Sequence, residues 1–256
     1  MGQVSVERVL VRCFGEVNEG DSHRHLSFFQ MAVYAVEKAS KTVSGEGNFH
    51  LAKLLRIYGA CGLIIILFIC KFFQTLEKFG GIDILVSNAA VNPTVGGVLD
   101  CPEIAWDKIF EVNVKNALQL SQLVVPHMQQ RGGGAIVYVS SVAGFQPFNL
   151  LGAYSVSKTA LLGLTKAVAQ QVAPDNIRVN CVAPGLVNTK FSSAVRLHVH
   201  CMYIDNIYLL IFFLFSMYRF AEPKEMAGLV SFLCSSDASY ITGEIIVVAG
   251  GLPSRL

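Results

Sequence analysis

Four short apolar runs set the limits on how this chain can fold. They are Ile82–Ser87, Ala135–Ser140, Ile177–Val182 and Glu244–Val248, the last closed by Gly250 and Gly251. Ile82–Ser87 and Ala135–Ser140 lack the regular polar alternation of a strand with one wet face, so they read as strands covered on both faces, while Ile177–Val182, with Arg178 and Asn180 at alternate positions, and Glu244–Val248 read as further strands. Helical patterns fill the spaces between them. Strands that alternate with helices imply a parallel sheet with helices on both faces, a doubly wound α/β fold.

The helices carry their own punctuation. Asp100 and Glu103 fit a capping box with Pro102 in the first turn, and a helix starting there would turn Ile104 and Trp106 to a core. Val112 to Gln130 has helical periodicity and ends at Arg131–Gly134. Ala153 to Val172 is a long helix stopped by Pro174, and Pro223 to Cys234 is another.

Composition excludes several classes. Apolar residues make up 53% and charged residues 15%, too apolar for a disordered chain. At 256 residues the simplest organisation is one domain over 1–256. A net charge of +2 gives no argument for nucleic acid or acidic lipid as a partner. The 7 cysteines are odd in number and form no C-x-x-C pair, which argues against a disulfide framework or a metal site and fits a reducing compartment.

The N-terminus has no apolar segment of a secretory signal, and Val6 stands where myristoylation wants Ser or Thr. Ser254-Arg255-Leu256 is the S-K-L peroxisomal address with arginine keeping the cation. It predicts a peroxisomal protein recognised by an import receptor, with the cytoplasm as the alternative.

Two stretches break the strand and helix rhythm, the runs 62–73 and 207–218. Each is short of the ~20 apolar residues that span a bilayer, so a buried strand or helix is the plainer reading and a membrane span is disfavoured. Residues 195–218 have a third reading, a translated intron. Val195 would be encoded by a GT-containing codon at its start, and the Phe/Leu run before Arg219 by a pyrimidine tract at its end. Finding these residues encoded in the spliced transcript would reject it.

The chemistry gathers near the third quarter of the chain. Tyr154 and Lys158 are four apart on a predicted helix and share one face. A free tyrosine titrates near pH 10, and an ammonium beside it favours the phenolate, which would bring Tyr154 into range as a general acid or base. Ser141 follows the strand Ala135–Ser140, at the carboxyl end where such sheets build their sites. Its hydroxyl can hydrogen-bond a substrate oxygen.

Taken together, Gly81–Ala90, Val112–Val114, Val139–Ser141, Tyr154-x-x-x-Lys158, Asn176–Asn180 and Pro184-Gly-x-x-x-Thr189 resemble the short-chain dehydrogenase/reductase family in order and spacing. The resemblance covers residues 75–194 and 219–256, and leaves 1–74 and 195–218 unmatched. It implies a Rossmann-like fold, with NADP as cofactor and a carbonyl or alcohol substrate such as retinal, retinol, ketones or aldehydes.

Roles follow position by position. Tyr154 would give the proton to the carbonyl, Lys158 would hold the nicotinamide ribose and tune Tyr154, and Ser141 would orient the substrate oxygen. Asn113 would anchor a water that relays protons to Lys158. Asn88, with Ala89, would lie beside the adenosine ribose. Pro184, Gly185, Val187 and Thr189 would line the nicotinamide. The family also implies a homotetramer built through helices at about 100–130 and 153–172.

The departures are specific. The family's first βαβ unit carries a glycine-rich turn that lets backbone amides reach a pyrophosphate at a helix N-terminus. Residues 1–80 contain no such turn, so the first unit reads as atypical or missing. Residues 195–218 replace the loop that closes over substrate. Three readings follow: an active oxidoreductase, a pseudoenzyme that at most serves as a binding subunit, and a membrane-tethered relative.

Overall fold

The computed structural model describes residues 9–10, 72–189 and 216–252. The chain divides into two compact units, one of Met1–Leu10 with Val17–Ile82 and one of Val11–Glu16 with Asp83–Leu256. In the first, the described residues are β1 (Val9–Leu10), a helical segment over 72–79, in which Phe72 and Phe73 meet edge to face at 5.4 Å, and the bend at 80–81 followed by Ile82. Most of the apolar runs 62–73 and 207–218, and the tripeptide Ser254-Arg255-Leu256, lie outside the described residues.

In the second unit the four apolar runs become strands: β2 (Ile84–Ser87), β3 (Gly134–Val139), β4 (Ile177–Pro184) and β5 (Ile245–Val248). All pair parallel, β2 to β3 to β4 to β5, with Val86 opposite Val137, Val139 opposite Val182 and Cys181 opposite Ile245. The helices are α1 (Glu103–Phe110), α2 (Asn116–Gln130), α3 (Gly152–Val172) and α4 (Pro223–Cys234).

Side-chain alternation assigns the helices to faces. Val86, Val137 and Val182 point to one face and pack against Leu233 of α4. Tyr138 points to the other, where its hydroxyl shares a 2.5 Å hydrogen bond with Ser121 of α2. Cys181, on that same face, lies close enough to Lys158 of α3 for the two to interact electrostatically. Helices therefore cover both faces, as the apolar runs Ile82–Ser87 and Ala135–Ser140 require, and the polar Arg178 and Asn180 of β4 are met by backbone carbonyls.

Two boundaries differ from the sequence expectation. Helix α1 is capped not by Asp100 but by Pro102, whose extended backbone (φ −59°, ψ 141°) lets its carbonyl accept the Trp106 amide at 2.9 Å. Starting there rotates Ile104 out to solvent at 86% exposure, while Trp106 stacks on Phe110 with centroids 4.6 Å apart. Moreover, α1 and α2 are joined without a break by a π-helical turn, Glu111–Lys115. At the entry to α4, the Glu225 side chain reaches back to the Glu222 amide at 2.8 Å in a capping box, with Pro223 in the first turn.

Arg178 fastens the sheet to α4. Its guanidinium donates to the Leu233 carbonyl at 2.8 Å and the Ser235 carbonyl at 3.0 Å, two acceptors that the helix end would otherwise leave unpaired. Arg178→Ala is expected to cost about 2 kcal/mol, because two partly buried acceptors lose a charged donor. Arg178→Lys is expected to recover less than half, since an ammonium lacks the fork that spans both oxygens. Urea unfolding of the three chains measures both.

Candidate active site

Because β2, β3 and β4 run parallel, they release their chain ends on one edge of the sheet. Ser87 leads into Asn88 and Ala89, Val139 into Ser140 and Ser141, and Pro184 into Gly185. Ser141 has extended backbone (φ −165°, ψ 159°) and caps the 3-10 turn Val142–Gly144, its Oγ accepting the Ala143 amide at 3.1 Å. That fixes the hydroxyl and leaves its hydrogen and a second lone pair for further partners. The Tyr154 phenol is its hydrogen-bond partner.

Helix α3 brings Tyr154 and Lys158 to this edge one turn apart, as their spacing predicts. Both are nearly sealed, Tyr154 at 8% and Lys158 at 2% exposure. Lys158 Nζ donates to the Val139 carbonyl at 2.8 Å and lies 5.5 Å from the centre of the Tyr154 ring. The electrostatics differ from the sequence expectation. Burial pushes the Tyr154 phenol up to about 12, with the Ser141 hydrogen bond pulling the other way, and pushes the Lys158 ammonium down to about 8. Desolvation outweighs the attraction of lysine for phenolate, because both charged forms would sit in a poorly hydrated layer. Tyr154 is thus held protonated, the state of a proton donor.

Asn113 sits in the π-helical turn, 1% exposed. Such turns insert an extra residue into a helix and are frequent at functional sites. Its Oδ1 accepts the Val91 amide at 2.8 Å, and its Nδ2 donates to the Val91 carbonyl at 3.1 Å and to Ser157 Oγ at 3.0 Å. Both amide hydrogens are spent. A water held by Asn113 would therefore have to donate to one of its oxygens.

The remaining expected contacts lie along the same edge. Asn88 is exposed just past β2, with Ala89 half-buried beside it. Gly185 donates its amide to the Val248 carbonyl at 2.9 Å. Ala221 pairs with the chain flanking Val187: its amide donates to Leu186 O at 3.0 Å and its carbonyl accepts from Asn188 N at 2.8 Å. In such a bridge the N–H and C=O of Val187 itself point to the opposite side. Thr189, half-buried, closes the segment.

These groups fit the nicotinamide end of a dinucleotide by the chemistry of the donor set. In such a site Lys158 would be the cation near ribose hydroxyls, and Val187 and Thr189 would lie beside the nicotinamide amide. Residues 1–80, whose sequence holds no glycine-rich pyrophosphate turn, lie almost wholly outside the described residues. Among the described residues no cluster of three or more His, Cys, Asp or Glu could hold a metal, and no helix is long and apolar enough to cross a membrane.

Three supporting residues were not read from the sequence. Ser140 Oγ donates to the Lys158 carbonyl at 2.8 Å, Thr159 Oγ1 donates to the Gly144 carbonyl at 2.7 Å, and Ser157 Oγ donates to the Tyr154 carbonyl at 2.7 Å. All flank the motif residues, and their only sequence signal was hydroxyl residues in and beside an apolar helix face. Gly144 permits the closeness: a Cβ there would come within 2.8 Å of the Lys158 carbonyl carbon. Gly144→Ala is expected to cost 1–3 kcal/mol in thermal unfolding, roughly the range for overpacked sites. It should also lower turnover more than cofactor affinity, since it pushes the Ser141 turn away from α3.

Comparison with known proteins agrees with this geometry. The family model described as enoyl-(acyl carrier protein) reductase, of the short-chain dehydrogenase class, matches residues 71–253. The rabbit (Oryctolagus cuniculus) dehydrogenase/reductase SDR family member 4 is 55% identical over 181 residues, covering 71% of this chain and 67% of the relative. The human protein of that name is 54% identical over 181 residues, and this chain spans 63% of its length. Among solved structures, a short-chain type dehydrogenase/reductase from Mycobacterium marinum is similar at 32% identity and a TM-score of 0.63, over 71% of this chain and 69% of that one. A 7α-hydroxysteroid dehydrogenase, solved with NADH and 7-oxo glycochenodeoxycholic acid, is similar at 32% identity and a TM-score of 0.63, over 72% and 68%. The doubly wound sheet, the Ser141, Tyr154 and Lys158 edge and a family match over most of the chain lead to one assignment: the chain belongs to the short-chain dehydrogenase/reductase family of oxidoreductases.

Proposed function

We propose that the chain reduces carbonyl compounds and oxidises the corresponding alcohols with NADP(H), taking apolar substrates such as retinal, retinol and aromatic ketones. The observation that carries this reading is the trio at the sheet edge, in which half-buried Ser141 bonds the buried Tyr154 phenol and the buried Lys158 Nζ lies 5.5 Å from the centre of its ring. When bound, the cofactor supplies or accepts the hydride. Ser141 orients the substrate oxygen and bonds it as negative charge develops. Tyr154, held protonated by burial, gives its proton to that oxygen. Lys158 keeps positive charge beside the phenol and can hold ribose hydroxyls.

Several observations support the finer points. Val142 and Leu252 are buried in an apolar cluster with Phe148 and Leu186, next to Ser141 and Gly185, which suits an apolar substrate. The preference for NADP rests on the likeness to the relatives called SDR family member 4. Assembly into a homotetramer draws support from Leu118 of α2 and Val156 of α3, which stand 39% and 40% exposed. Peroxisomal import through Ser254-Arg255-Leu256 belongs to the same reading. Appending these residues to a fluorescent protein tests it, and a diffuse cytoplasmic signal would reject it.

The test of activity is a fluorescence titration of the full chain with NADPH and NADH, followed by turnover of retinal and aromatic ketones. Saturable NADPH binding with turnover supports the reading. Absence of binding at millimolar cofactor would leave only the role of a binding subunit.

A further inference from the structure

Ser157, one residue before Lys158, carries a fully buried hydroxyl. Its Oγ donates to the Tyr154 carbonyl at 2.7 Å and accepts from Asn113 Nδ2 at 3.0 Å. Asn113 in turn holds both the amide and the carbonyl of Val91, at 2.8 and 3.1 Å, where the chain leaves β2. Three parts of the site meet in this relay: the segment after β2, the π-helical turn and the first turn of α3. Ser157 itself is 0% exposed, as is Ser155 on the same helix, so solvent cannot stand in for a missing bond.

We infer that Ser157 is a positioning residue for proton transfer, locking the Tyr154 turn of α3 to the Asn113 π turn and, through it, to the segment that follows β2. The inference rests on the reading of Tyr154 and Lys158 as the proton-transfer pair. The physical reason is the geometry of a hydroxyl with one hydrogen. Since that hydrogen goes to the Tyr154 carbonyl, Ser157 can serve Asn113 only as an acceptor, and this fixes which end of the Asn113 amide faces it. Oδ1 is then directed to the Val91 amide. One hydroxyl thereby sets the orientation of Asn113 and the clasp on Val91, while its donation holds the backbone that carries Tyr154.

The experiment compares Ser157→Ala, Ser157→Thr, Asn113→Ala and the Ser157→Ala/Asn113→Ala double variant in the full chain. In Ser157→Ala the turnover number for ketone reduction is expected to fall about tenfold, with the KM for substrate and the affinity for NADPH within twofold, since a misplaced donor costs rate before binding. Ser157→Thr keeps the hydroxyl and is expected to regain most of the turnover. The double variant should lose no more than Asn113→Ala alone, as two members of one relay do. Hydrogen exchange of the Val91 amide is expected to accelerate at least tenfold in Ser157→Ala, a readout that needs neither cofactor nor turnover. Unchanged Val91 exchange overturns the inference, as do losses that multiply in the double variant. Should the unaltered chain show no turnover, the proposed function fails while Val91 exchange still decides whether the relay exists. If Ser157→Ala does not fold, Val91 exchange in Asn113→Ser and Ser157→Thr decides instead, and the relay requires faster exchange in the first only.

Discussion

Tyr154→Phe is expected to lower carbonyl reduction about a thousandfold, within the range that one positioned proton donor contributes. The chain should still fold and bind cofactor. Tyr154 is 8% exposed and its ring lies in packed surroundings that phenylalanine reproduces, so the change removes the hydroxyl and its bond to Ser141 while the ring's packing is kept. That bond is worth about 1 kcal/mol, which removal of a buried polar group partly offsets. Single-turnover kinetics and thermal unfolding separate the two effects. Tyr154→Phe turning over within tenfold of the unaltered chain would mean that another group delivers the proton, and the assignment of Tyr154 would fall.

Lys158→Met is expected to abolish turnover and yet to stabilise the chain near neutral pH. The reason is the displaced titration of a sealed lysine. Folding moves its ammonium from 10.5 down to about 8. Between these values the unfolded chain holds a proton that the folded chain has released, so stability climbs as pH rises from 8 towards 10.5. Below pH 8 the folded chain carries the whole cost of burying the cation, about 3 kcal/mol.

Methionine removes that cost, but it leaves the Val139 carbonyl without its 2.8 Å donor, which takes back about 1–2 kcal/mol. The expected net gain at pH 7 is therefore about 1–2 kcal/mol. Above pH 10 both chains should weaken in parallel, because burial holds the Tyr138 and Tyr154 phenols near 12 and the unfolded chain ionises first. Denaturant unfolding between pH 6 and 11 tests this. Equal pH profiles for the two chains would show that Lys158 is hydrated and that its burial does not govern stability.

Much of the architecture was legible because strands buried on both faces leave an unmistakable record. A run such as Ala135–Ser140 has no polar alternation, and the structure places Ile136, Val137 and Tyr138 at 0% exposure between two helix layers. The end of α2 at Arg131 and of α3 near Pro174 were legible for local reasons, since Gly132 and Gly133 take the positive φ that ends a helix and the proline ring brings no amide hydrogen. The start of α1 was not. Asp100 and Pro102 both offer a local start, and the choice between them, with the exposure of Ile104 that follows, depends on what packs over the helix.

The site divides in the same way. Tyr154, Lys158 and Ser141 could be named from sequence because their spacing is local or tied to a strand end. The supporting hydroxyls of Ser140, Ser157 and Thr159 could not. A buried serine in a helix looks like any small residue until its partner appears, and the partner of Ser157 lies 44 positions away on the π-helical turn.

The Tyr154 and Lys158 pair shows where the boundary runs. Sequence alone determined that they share a helix face, because 3.6 residues per turn leave no other arrangement at a spacing of four. It also supplied the expectation that the ammonium would lower the phenol. Only the tertiary structure decided the sign. By closing β3, the Ser141 turn and the π-helical turn over that face, the fold removed the water both charges need, and desolvation displaced each group towards its neutral form.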